Sequence, residues 1–483
     1  MNGQKESEKM SESKDFKHYD LVVLGGGFGG YTAAIRAAQL GKKAAVIEED
    51  RLGGTCLNVG CIPTKFMLQN AKIIKACDGA ARRGVVMSQP SVNMAQMIKN
   101  KDEKVRRLGG GIKMLLKSNG VDVYQGTGEV FLDYFAKITD MEGGEEIIGW
   151  EKLIIATGSN PAIPDLFRDI PGLLTNREAL NLPYLPKELI IVGGGVVGCE
   201  FATIFSIFGT KVTMLQNGST LINGVDKEGT ACVEESLVKN GVTIHYNAFV
   251  RDIYKDSASN FHLEVEMRNE EQPKSFCCAD VLMATGRCAN LKGLDSLNLE
   301  LDRGWVDVND YLETSVPDVY AIGDVTAKSH LAHGASAMAM RAVENMFGGR
   351  PAKMNYSLIP SCVYTLPEVA SVGMREEAAR EAYSNVRVGS FPMSASGRAL
   401  IRDESQGFVK VITEDKYGEI LGIHVAGPGA TELITQAETI MALEGTIEDM
   451  CRIIYPHPTI SEALFEAAMD TFGMSIHLPK KED

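Results

Sequence analysis

Two glycine-rich loops constrain the fold more than any other feature of this sequence. The first, GGGFGG at Gly25–Gly30, follows the apolar run YDLVVL, and the second, GGGVVG at Gly193–Gly198, follows LIIV. Each loop leads into a helical pattern and then into a further strand-like run, so each belongs to a βαβ unit. Two such units far apart in the chain predict two Rossmann-like dinucleotide-binding domains and not a repeat array.

The first unit has every part of the dinucleotide pattern. Gly25 permits the tight turn, Gly27 lets the backbone approach a pyrophosphate, and Gly30 allows the helix to pack closely on the strand. The N-terminus of the helix stabilises the anion. Glu48 ends the next strand, where its carboxylate can accept hydrogen bonds from ribose hydroxyls. A glycine-rich turn that happens to precede a helix is the alternative, and the complete pattern favours a dinucleotide.

The second unit departs from this pattern at one position. Gly193, Gly195 and Gly198 repeat the glycine spacing, but the following strand ends in Gln216 and not in an acid. Glutamine can bond a ribose hydroxyl, yet it lacks the negative charge that repels the phosphate of NADP. Because Asn217–Thr220 contains no arginine or lysine to hold that phosphate, NAD is favoured, although the choice between NAD and NADP stays open.

Charge and cysteine usage limit the classes of protein to which the chain can belong. With 49 Lys and Arg against 63 Asp and Glu, the net charge of −14 argues against binding to nucleic acid or to anionic membranes. The chain has no apolar run of the ~18 residues that a membrane-spanning helix needs. Ten cysteines in 483 residues, behind a polar N-terminus without a secretory signal, indicate a cytoplasmic protein with reduced thiols. A paired cysteine in such a protein would have to be catalytic.

Cys56 and Cys61 lie in GGTCLNVGCIPTK, shortly after the first βαβ unit. A disulfide that closes so short a loop removes only about 2 kcal/mol of unfolded-state entropy, so it would be a weak staple. Two thiolates without a second Cys or His pair nearby do not complete a tetrahedral site, so no metal is predicted. Two structural cysteines remain as an alternative, and a redox-active pair is the better interpretation. The other eight cysteines have no partner pattern and are predicted to be buried small apolar residues.

His457 is the one histidine whose neighbours suggest a chemical role. Prolines on both sides fix its approach to a predicted helix, and a neutral imidazole can take and return the proton of a thiol. Glu462 completes the capping-box pattern Thr459-x-x-Glu462. From the residues alone, a helix cap is the favoured role of this glutamate.

The cysteine segment resembles the redox-active signature of the flavin-dependent pyridine nucleotide-disulfide oxidoreductases, and among them that of the dihydrolipoamide dehydrogenases. The resemblance extends from about Tyr19 to about Met469. It includes the phrases IPSCVYTLPEVASVG at 359–373, GEILGIHVAGPGATEL at 418–433 and HPTISEAL at 457–464. Only the polar N-terminal segment and the last few residues fall outside it.

This resemblance implies an α/β fold with two Rossmann-like dinucleotide-binding domains, one for FAD and one for NAD, plus a C-terminal α+β dimerisation domain. A change to mixed strand and helix patterns near Tyr356 agrees with such a C-terminal domain. The expected regions are a disordered N-terminal extension at 1–18, an FAD-binding and central region at 19–157 and 284–355, an NAD-binding domain at 158–283, and an interface domain at 356–483.

The resemblance also implies roles for single residues. Cys56 would exchange with the substrate, and Cys61 would lie by the flavin as a thiolate when reduced. Lys65 would approach the flavin and pair with Glu200, and Asp324 would bind the ribityl chain, although a surface ion pair and a turn aspartate are the alternatives from the residues alone. The implied cofactor-binding set is Gly25, Gly27, Gly30, Glu48, Lys65, Thr157, Gly158, Asp324, Gly193, Gly195, Gly198, Glu200, Gln216 and Gly286.

The implied reaction is the oxidation of protein-bound dihydrolipoamide to lipoamide through a Cys56–Cys61 disulfide and FAD, with reduction of NAD. His457 and Glu462 would form the couple that orients the base. In the family this histidine reaches the disulfide of the other subunit, so a homodimer is expected. The expected partner is a lipoyl-domain-bearing subunit of a 2-oxoacid dehydrogenase, an acetoin dehydrogenase or a glycine cleavage system, with neither nucleic acid nor a membrane.

Two alternatives stay open at this stage. One is another flavin disulfide reductase that uses NADPH, similar to glutathione reductase or to mercuric reductase. The other is a non-catalytic flavoprotein subunit of a multienzyme complex, which the presence of both cysteines together with His457 disfavours.

Overall fold

The computed structural model describes residues 16–268, 270 and 272–480. The predicted disordered extension lies outside the described residues except for its last three, and His18 already begins the first strand. The chain forms two compact units: the first contains residues up to Pro63, Lys99–Ala162 and Arg287–Tyr356, and the second contains Thr64–Ile98, Ile163–Gly286 and the residues from Ser357 onward. The second unit contains the expected NAD-binding and interface regions together with Thr64–Ile98. A division into two units does not distinguish the four predicted regions, which stay a prediction.

The strands are, in chain order, β1 (His18–Leu24), β2 (Ala44–Glu48), β3 (Asp122–Gln125), β4 (Thr127–Phe131), β5 (Phe135–Thr139), β6 (Glu145–Ile155), β7 (Ser159–Pro161), β8 (Glu188–Val192), β9 (Lys211–Leu215), β10 (Thr243–His245), β11 (Ala248–Lys255), β12 (Phe261–Met267), β13 (Lys274–Cys278), β14 (Val281–Met283), β15 (Arg287–Ala289), β16 (Leu301–Asp302), β17 (Trp305–Val306), β18 (Val319–Ala321), β19 (Ser361–Val363), β20 (Glu368–Gly373), β21 (Val386–Pro392), β22 (Phe408–Glu414) and β23 (Ile420–Gly427).

The α-helices are α1 (Phe28–Gln39), α2 (Gly54–Val59), α3 (Cys61–Asp78), α4 (Met94–Ser118), α5 (Asn176–Ala179), α6 (Val196–Phe208), α7 (Lys227–Lys239), α8 (Ala332–Phe347), α9 (Glu376–Ala382), α10 (Gly397–Arg402), α11 (Ala430–Ala442), α12 (Ile447–Arg452) and α13 (Glu462–Asp470). Short 3-10 turns lie at Ala80–Arg83, Asp165–Phe167, Asp295–Leu297, Gly323–Thr326 and Met393–Ala395. Of the helices in the described part of the chain, none is both long and apolar enough to cross a bilayer.

The first unit is built on a sheet in the order β3-β2-β1-β6-β5-β4, with β18 also paired to β6. Strand β1 runs parallel to both neighbours, and Val23 pairs with Val46 on one side and Ile154 on the other. Every residue of β2 is buried. Strands covered on both faces are near-continuous apolar runs, which is why the short runs in the sequence predict them. The carboxyl ends of these parallel strands carry the first glycine-rich loop and Glu48.

Three sheets lie in the described part of the second unit. A four-stranded parallel sheet has the order β10-β9-β8-β14, an antiparallel sheet has the order β11-β12-β13, and a five-stranded antiparallel sheet has the order β19-β20-β23-β22-β21. Helix α6 follows the second glycine-rich loop and is buried over most of its length. The predicted α/β class, with two Rossmann-like sheets and a C-terminal α+β part, is confirmed.

Candidate active site

The first glycine-rich loop forms a cradle that side chains would fill. Gly25 has φ +103°, and a Cβ on it would lie 2.3 Å from the carbonyl oxygen of Ala156 at the end of β6. A Cβ on Gly30 would lie 1.8 Å from the carbonyl oxygen of Gly25, so only glycine lets α1 pack this closely. At Gly27 the nearest atom would be 3.9 Å away. The N-terminus of α1 is therefore uncrowded at Gly27, as the binding of a pyrophosphate to the backbone requires.

Glu48 is held rigidly beside this loop. One carboxylate oxygen accepts a hydrogen bond from the backbone N–H of Gly26 at 2.7 Å, and the other accepts one from that of Asp50 at 2.8 Å. Burial raises the pKa of Glu48 despite both bonds. The carboxylate thus orders the loop directly, and its predicted bond to a ribose stays a prediction.

The second glycine-rich loop repeats the geometry of the first. Gly193 has φ +111°, and a Cβ on it would lie 2.2 Å from the carbonyl oxygen of Ala284 at the end of β14. A Cβ on Gly198 would lie 2.1 Å from the carbonyl oxygen of Gly193. A Cβ on Gly195 would have no atom of the described chain within 4 Å. The second unit therefore offers a matching cradle for a second dinucleotide.

Gln216 takes the place that Glu48 has in the first unit. Its Oε1 accepts a hydrogen bond from the N–H of Gly194 at 2.9 Å, as the Glu48 carboxylate does from Gly26. Its Nε2 donates to the carbonyl oxygen of Thr220 at 2.9 Å, a bond that a carboxylate could not make. The glutamine therefore preserves the loop contact and also fixes the segment that follows.

The cysteine segment lies directly against the first loop. The N–H of Gly53 donates to the carbonyl oxygen of Gly26 at 2.8 Å. Gly53 and Gly54 have φ of +91° and +57°, and a Cβ on Gly54 would lie 2.8 Å from Cα of Gly27. A Cβ on Gly53 would lie 2.4 Å from the Leu57 side chain, so both positions need glycine, and Gly54 needs it because of the contact with the loop. This contact places Cys56 beside the dinucleotide cradle.

A tight turn separates the two cysteines. Cys56 lies in α2, Cys61 is the first residue of α3, and both are half-buried. A Cβ on Gly60 would lie 2.8 Å from the carbonyl oxygen of Thr55 and 3.3 Å from Cα of Cys56, so the chain folds back over Cys56 before Cys61. Burial, and then the charge of Cys56, raises the pKa of Tyr31 in α1, a neighbour that the sequence did not single out.

Lys65 and Glu200, which the resemblance pairs, form a close ion pair in the second unit. The Lys65 ammonium donates to both carboxylate oxygens at 2.9 Å, and the Glu200 side chain is only 5% exposed. The backbone N–H of Tyr364 donates a further bond to the same carboxylate at 3.1 Å. The alternative of an ordinary surface ion pair is therefore wrong, because the Glu200 carboxylate is buried. The role of the pair toward a flavin stays a prediction.

Asp324 lies in a polar network of the first unit. It accepts a hydrogen bond from the Ser159 hydroxyl at 2.5 Å, and Nε of Arg287 donates to the same hydroxyl at 2.5 Å. The Thr157 hydroxyl donates to a backbone carbonyl at 2.6 Å, and Gly158 has φ +74°. Ser159 and Arg287, which the sequence analysis did not single out, belong to this network. Each directly follows an Ala-Thr-Gly sequence, at 156–158 and at 284–286. Gly286, which the resemblance also implies as a cofactor-binding residue, lies in the second unit and has φ +107°.

His457 and Glu462 form the expected couple. Nδ1 of His457 lies 2.9 Å from Oε1 of Glu462, while Oε2 accepts a hydrogen bond from the N–H of Thr459 at 2.8 Å. The Thr459 hydroxyl donates to the carbonyl oxygen of Pro456, so half of the predicted capping box is present. Burial raises the pKa of Glu462, but the bonds from Thr459 and His457 outweigh it and hold that pKa below its usual value. One carboxylate therefore makes both predicted contacts. Helix α13 begins only at Glu462, with Ser461 as its N-cap, so the predicted N-cap at Thr459 is wrong. The role of Glu462 in orienting a base stays a prediction.

The prediction that the other eight cysteines are buried is confirmed for two of them and wrong for the other six. Cys199 and Cys278 are buried, whereas Cys277 and Cys288 are exposed and the remaining four are half-buried. The alternation of the antiparallel strand β13 points neighbouring side chains to opposite faces, which exposes Cys277 and buries Cys278. A vicinal pair on an edge strand cannot be buried at both positions.

Comparisons with known proteins cover nearly the whole chain. A family model described as pyridine nucleotide-disulphide oxidoreductase matches residues 19–339, and the model of its dimerisation domain matches residues 359–468. The chain is 38% identical over 470 residues to a dihydrolipoyl dehydrogenase of Bacillus subtilis strain 168, covering 95% of this chain and 99% of that protein. It is 38% identical over 470 residues to dihydrolipoyl dehydrogenase 3 of Pseudomonas putida, covering 96% and 100%. The crystal structure of LpdA from Mycobacterium tuberculosis is similar with a TM-score of 0.86 and 25% identity, covering 94% of this chain and 99% of that one.

Proposed function

We propose, since the chain belongs to the pyridine nucleotide-disulphide oxidoreductase family, that it is an FAD-dependent dihydrolipoyl dehydrogenase that oxidises dihydrolipoamide and reduces NAD. The observation that carries this proposal is the contact of the cysteine segment with the first glycine-rich loop, through the 2.8 Å bond from Gly53 to Gly26. A thiol pair placed at a dinucleotide cradle suits electron transfer between sulfur and a flavin.

The thiol exchange that we propose involves only the cysteine pair, His457 and the dihydrolipoyl group. A dihydrolipoyl thiol gives its proton to His457 and attacks Sγ of Cys56, so the Cys56–Cys61 bond breaks and Cys61 leaves as a thiolate. The second lipoyl thiol then attacks the lipoyl sulfur bound to Cys56, so the mixed disulfide breaks and Cys56 leaves as a thiol that takes the proton of the attacking group. Lipoamide is released with its ring disulfide closed. Because Nδ1 of His457 is held by Glu462, the ring exchanges the proton through Nε2.

The chain's own residues divide the binding of the two cofactors. Gly25, Gly27, Gly30 and Glu48 would hold FAD together with Asp324, and the second loop with Gln216 would hold NAD. When bound, FAD and NAD supply the two-electron redox chemistry that returns the cysteine pair to the disulfide. The Lys65–Glu200 pair would place a fixed cation at the flavin.

The match to the family's dimerisation domain supports a homodimer. We propose further that His457 acts on the cysteine pair of the other subunit, and that the substrate lipoyl group is carried by a subunit of a 2-oxoacid dehydrogenase, acetoin dehydrogenase or glycine cleavage system. A cytoplasmic location, which rests on the cysteine usage of the sequence, completes the proposal.

The test is a steady-state assay with three reactions run side by side on the FAD-loaded protein. These are the reduction of NAD by dihydrolipoamide, the reduction of NADP by dihydrolipoamide, and the reduction of glutathione disulfide by NADPH. We expect the first to be fastest. Glutathione reduction with NADPH that exceeds lipoamide turnover would overturn the assignment in favour of a glutathione reductase.

Gln216 gives a prediction about cofactor choice. In Gln216→Glu the loop contact with Gly194 is kept, but a negative charge appears where the phosphate of NADP would lie. We expect the ratio of kcat/KM for NAD to that for NADP to rise about tenfold, which corresponds to ~1.4 kcal/mol of added repulsion. Gln272→Glu adds the same charge at an exposed residue two positions before β13 and is the matched control. An equal ratio in the Gln216 variant and the wild type would contradict the assignment of this position.

A further inference from the structure

Tyr364 contacts both members of the Lys65–Glu200 pair. The Lys65 ammonium lies 4.5 Å from the centroid of the Tyr364 ring, within the range of a cation–π interaction. The backbone N–H of the same residue donates to Oε1 of Glu200 at 3.1 Å. One residue therefore holds the cation with its ring and the anion with its backbone.

The position of Tyr364 is fixed by the five-stranded sheet. Strand β19 ends at Val363, which pairs with Val369 of β20, and the hydroxyl of Thr365 donates to the carbonyl oxygen of Pro367 at 2.7 Å. Burial of the ring raises the pKa of Tyr364 to about 12, so the phenol stays neutral at physiological pH. A neutral ring keeps the negative π-face that attracts an ammonium group.

Lys65 needs such a second contact because its stem is flexible. The Lys65 side chain is 30% exposed and carries its ammonium on a flexible four-carbon stem, whereas the Glu200 side chain is 5% exposed. A carboxylate alone lets an ammonium move among several positions around its two oxygens. A ring on another side of the ammonium selects one of them.

We propose that Tyr364 is a positioning residue, which fixes the Lys65 ammonium through its ring and the Glu200 carboxylate through its backbone N–H. The part that concerns turnover rests on the proposed function, since Lys65 acts there toward the flavin. The holding of the ammonium and the carboxylate by Tyr364 does not rest on the proposed function, because these are contacts within the chain. An aromatic ring is required at this position, and the phenol hydroxyl is not.

The experiment compares Tyr364→Phe, which keeps the ring, with Tyr364→Leu and Tyr364→Met, which remove it. The FAD-loaded proteins are treated with trace acetic anhydride, and the acetylation rate of Lys65 is measured by mass spectrometry relative to that of Lys72, two turns further along α3. We expect the ratio to rise about 3- to 10-fold in the Leu and Met variants, because an ammonium without its ring is less stabilised and more accessible. The Phe variant should stay within about twofold of the wild type.

Tyr417→Leu is the matched control, because Lys416 lies 4.5 Å from the ring centroid of Tyr417 on an exposed turn. It should leave the ratio of Lys65 to Lys72 unchanged. In the lipoamide assay, loss of the Tyr364 ring should lower kcat about tenfold while KM for NAD stays constant. Tyr364→Phe, which keeps the ring, should turn over dihydrolipoamide as fast as the wild type.

An unchanged labelling ratio in both Tyr364→Leu and Tyr364→Met would overturn the inference, as would a Phe variant that behaves like Leu. Equal increases at Lys65 and Lys72 would show general loosening of α3 and would overturn it as well. If the wild type fails to reduce NAD with dihydrolipoamide, the proposed function falls, while the labelling ratios still decide the role of Tyr364.

Discussion

Turnover of dihydrolipoamide is expected to fall by about a thousandfold or more when Cys61 is replaced by serine. The first step of the proposed exchange breaks a bond between two sulfurs, and a serine oxygen cannot form or release that bond. The variant keeps the size and the hydrogen bonding of the side chain at the start of α3, so the loss reports on chemistry and not on folding. Cys277→Ser, in the exposed position of β13, is the matched control and should turn over as the wild type does.

Counting thiols makes this prediction independent of activity. The chain has ten cysteines, so the oxidised wild type should show two fewer titratable thiols after denaturation than the same protein reduced by NADH. Cys61→Ser should show no difference between the two states. Cys61→Ser enzyme with normal lipoamide turnover, or a wild type whose thiol count does not change on reduction, would contradict the redox-active pair.

The elements around both loops could be predicted because their constraints are local. The helical pattern after the second loop is α6, which ends at Phe208 just before Gly209, and the strand-like run that follows it is β9, Lys211–Leu215. A buried parallel strand must be a short apolar run, and the glycine spacing is set by a backbone that leaves no room for Cβ. These constraints can therefore be read from the residues of one βαβ unit.

Contacts between distant segments could not be predicted from the residues alone. The Lys65–Glu200 pair joins positions that are 135 residues apart, and the bond from Ser159 to Asp324 joins positions 165 apart. No periodicity in the sequence encodes such distances, so only the family resemblance suggested the first, and nothing suggested the second. The ring of Tyr364 was overlooked for a similar reason, since an aromatic residue after a strand is usually a packing residue.

Replacing His457 with glutamine is expected to lower kcat for dihydrolipoamide by about 10²- to 10⁴-fold, because the attacking thiol then has no base. Glu462→Gln keeps the bond to the imidazole but removes the charge that stabilises the protonated ring, so a smaller loss of about tenfold is expected. His477→Gln is the matched control: this histidine is also held through Nδ1 by a glutamate of α13, at 2.7 Å from Glu466. Equal losses in the His457 and His477 variants would show that the C-terminal helix is merely destabilised.

Mixing two inactive variants tests whether the base comes from the other subunit. A dimer of one Cys61→Ser chain and one His457→Gln chain has one site in which an intact cysteine pair faces an intact histidine, provided that the histidine acts across the interface. Random reassociation makes half of the dimers mixed, each with one working site of two, so about a quarter of wild-type activity should return. If His457 served the cysteines of its own chain, both sites of the mixed dimer would lack one partner. Activity that stays at the level of the separate variants would therefore reject the shared site, while each variant alone would still identify its residue.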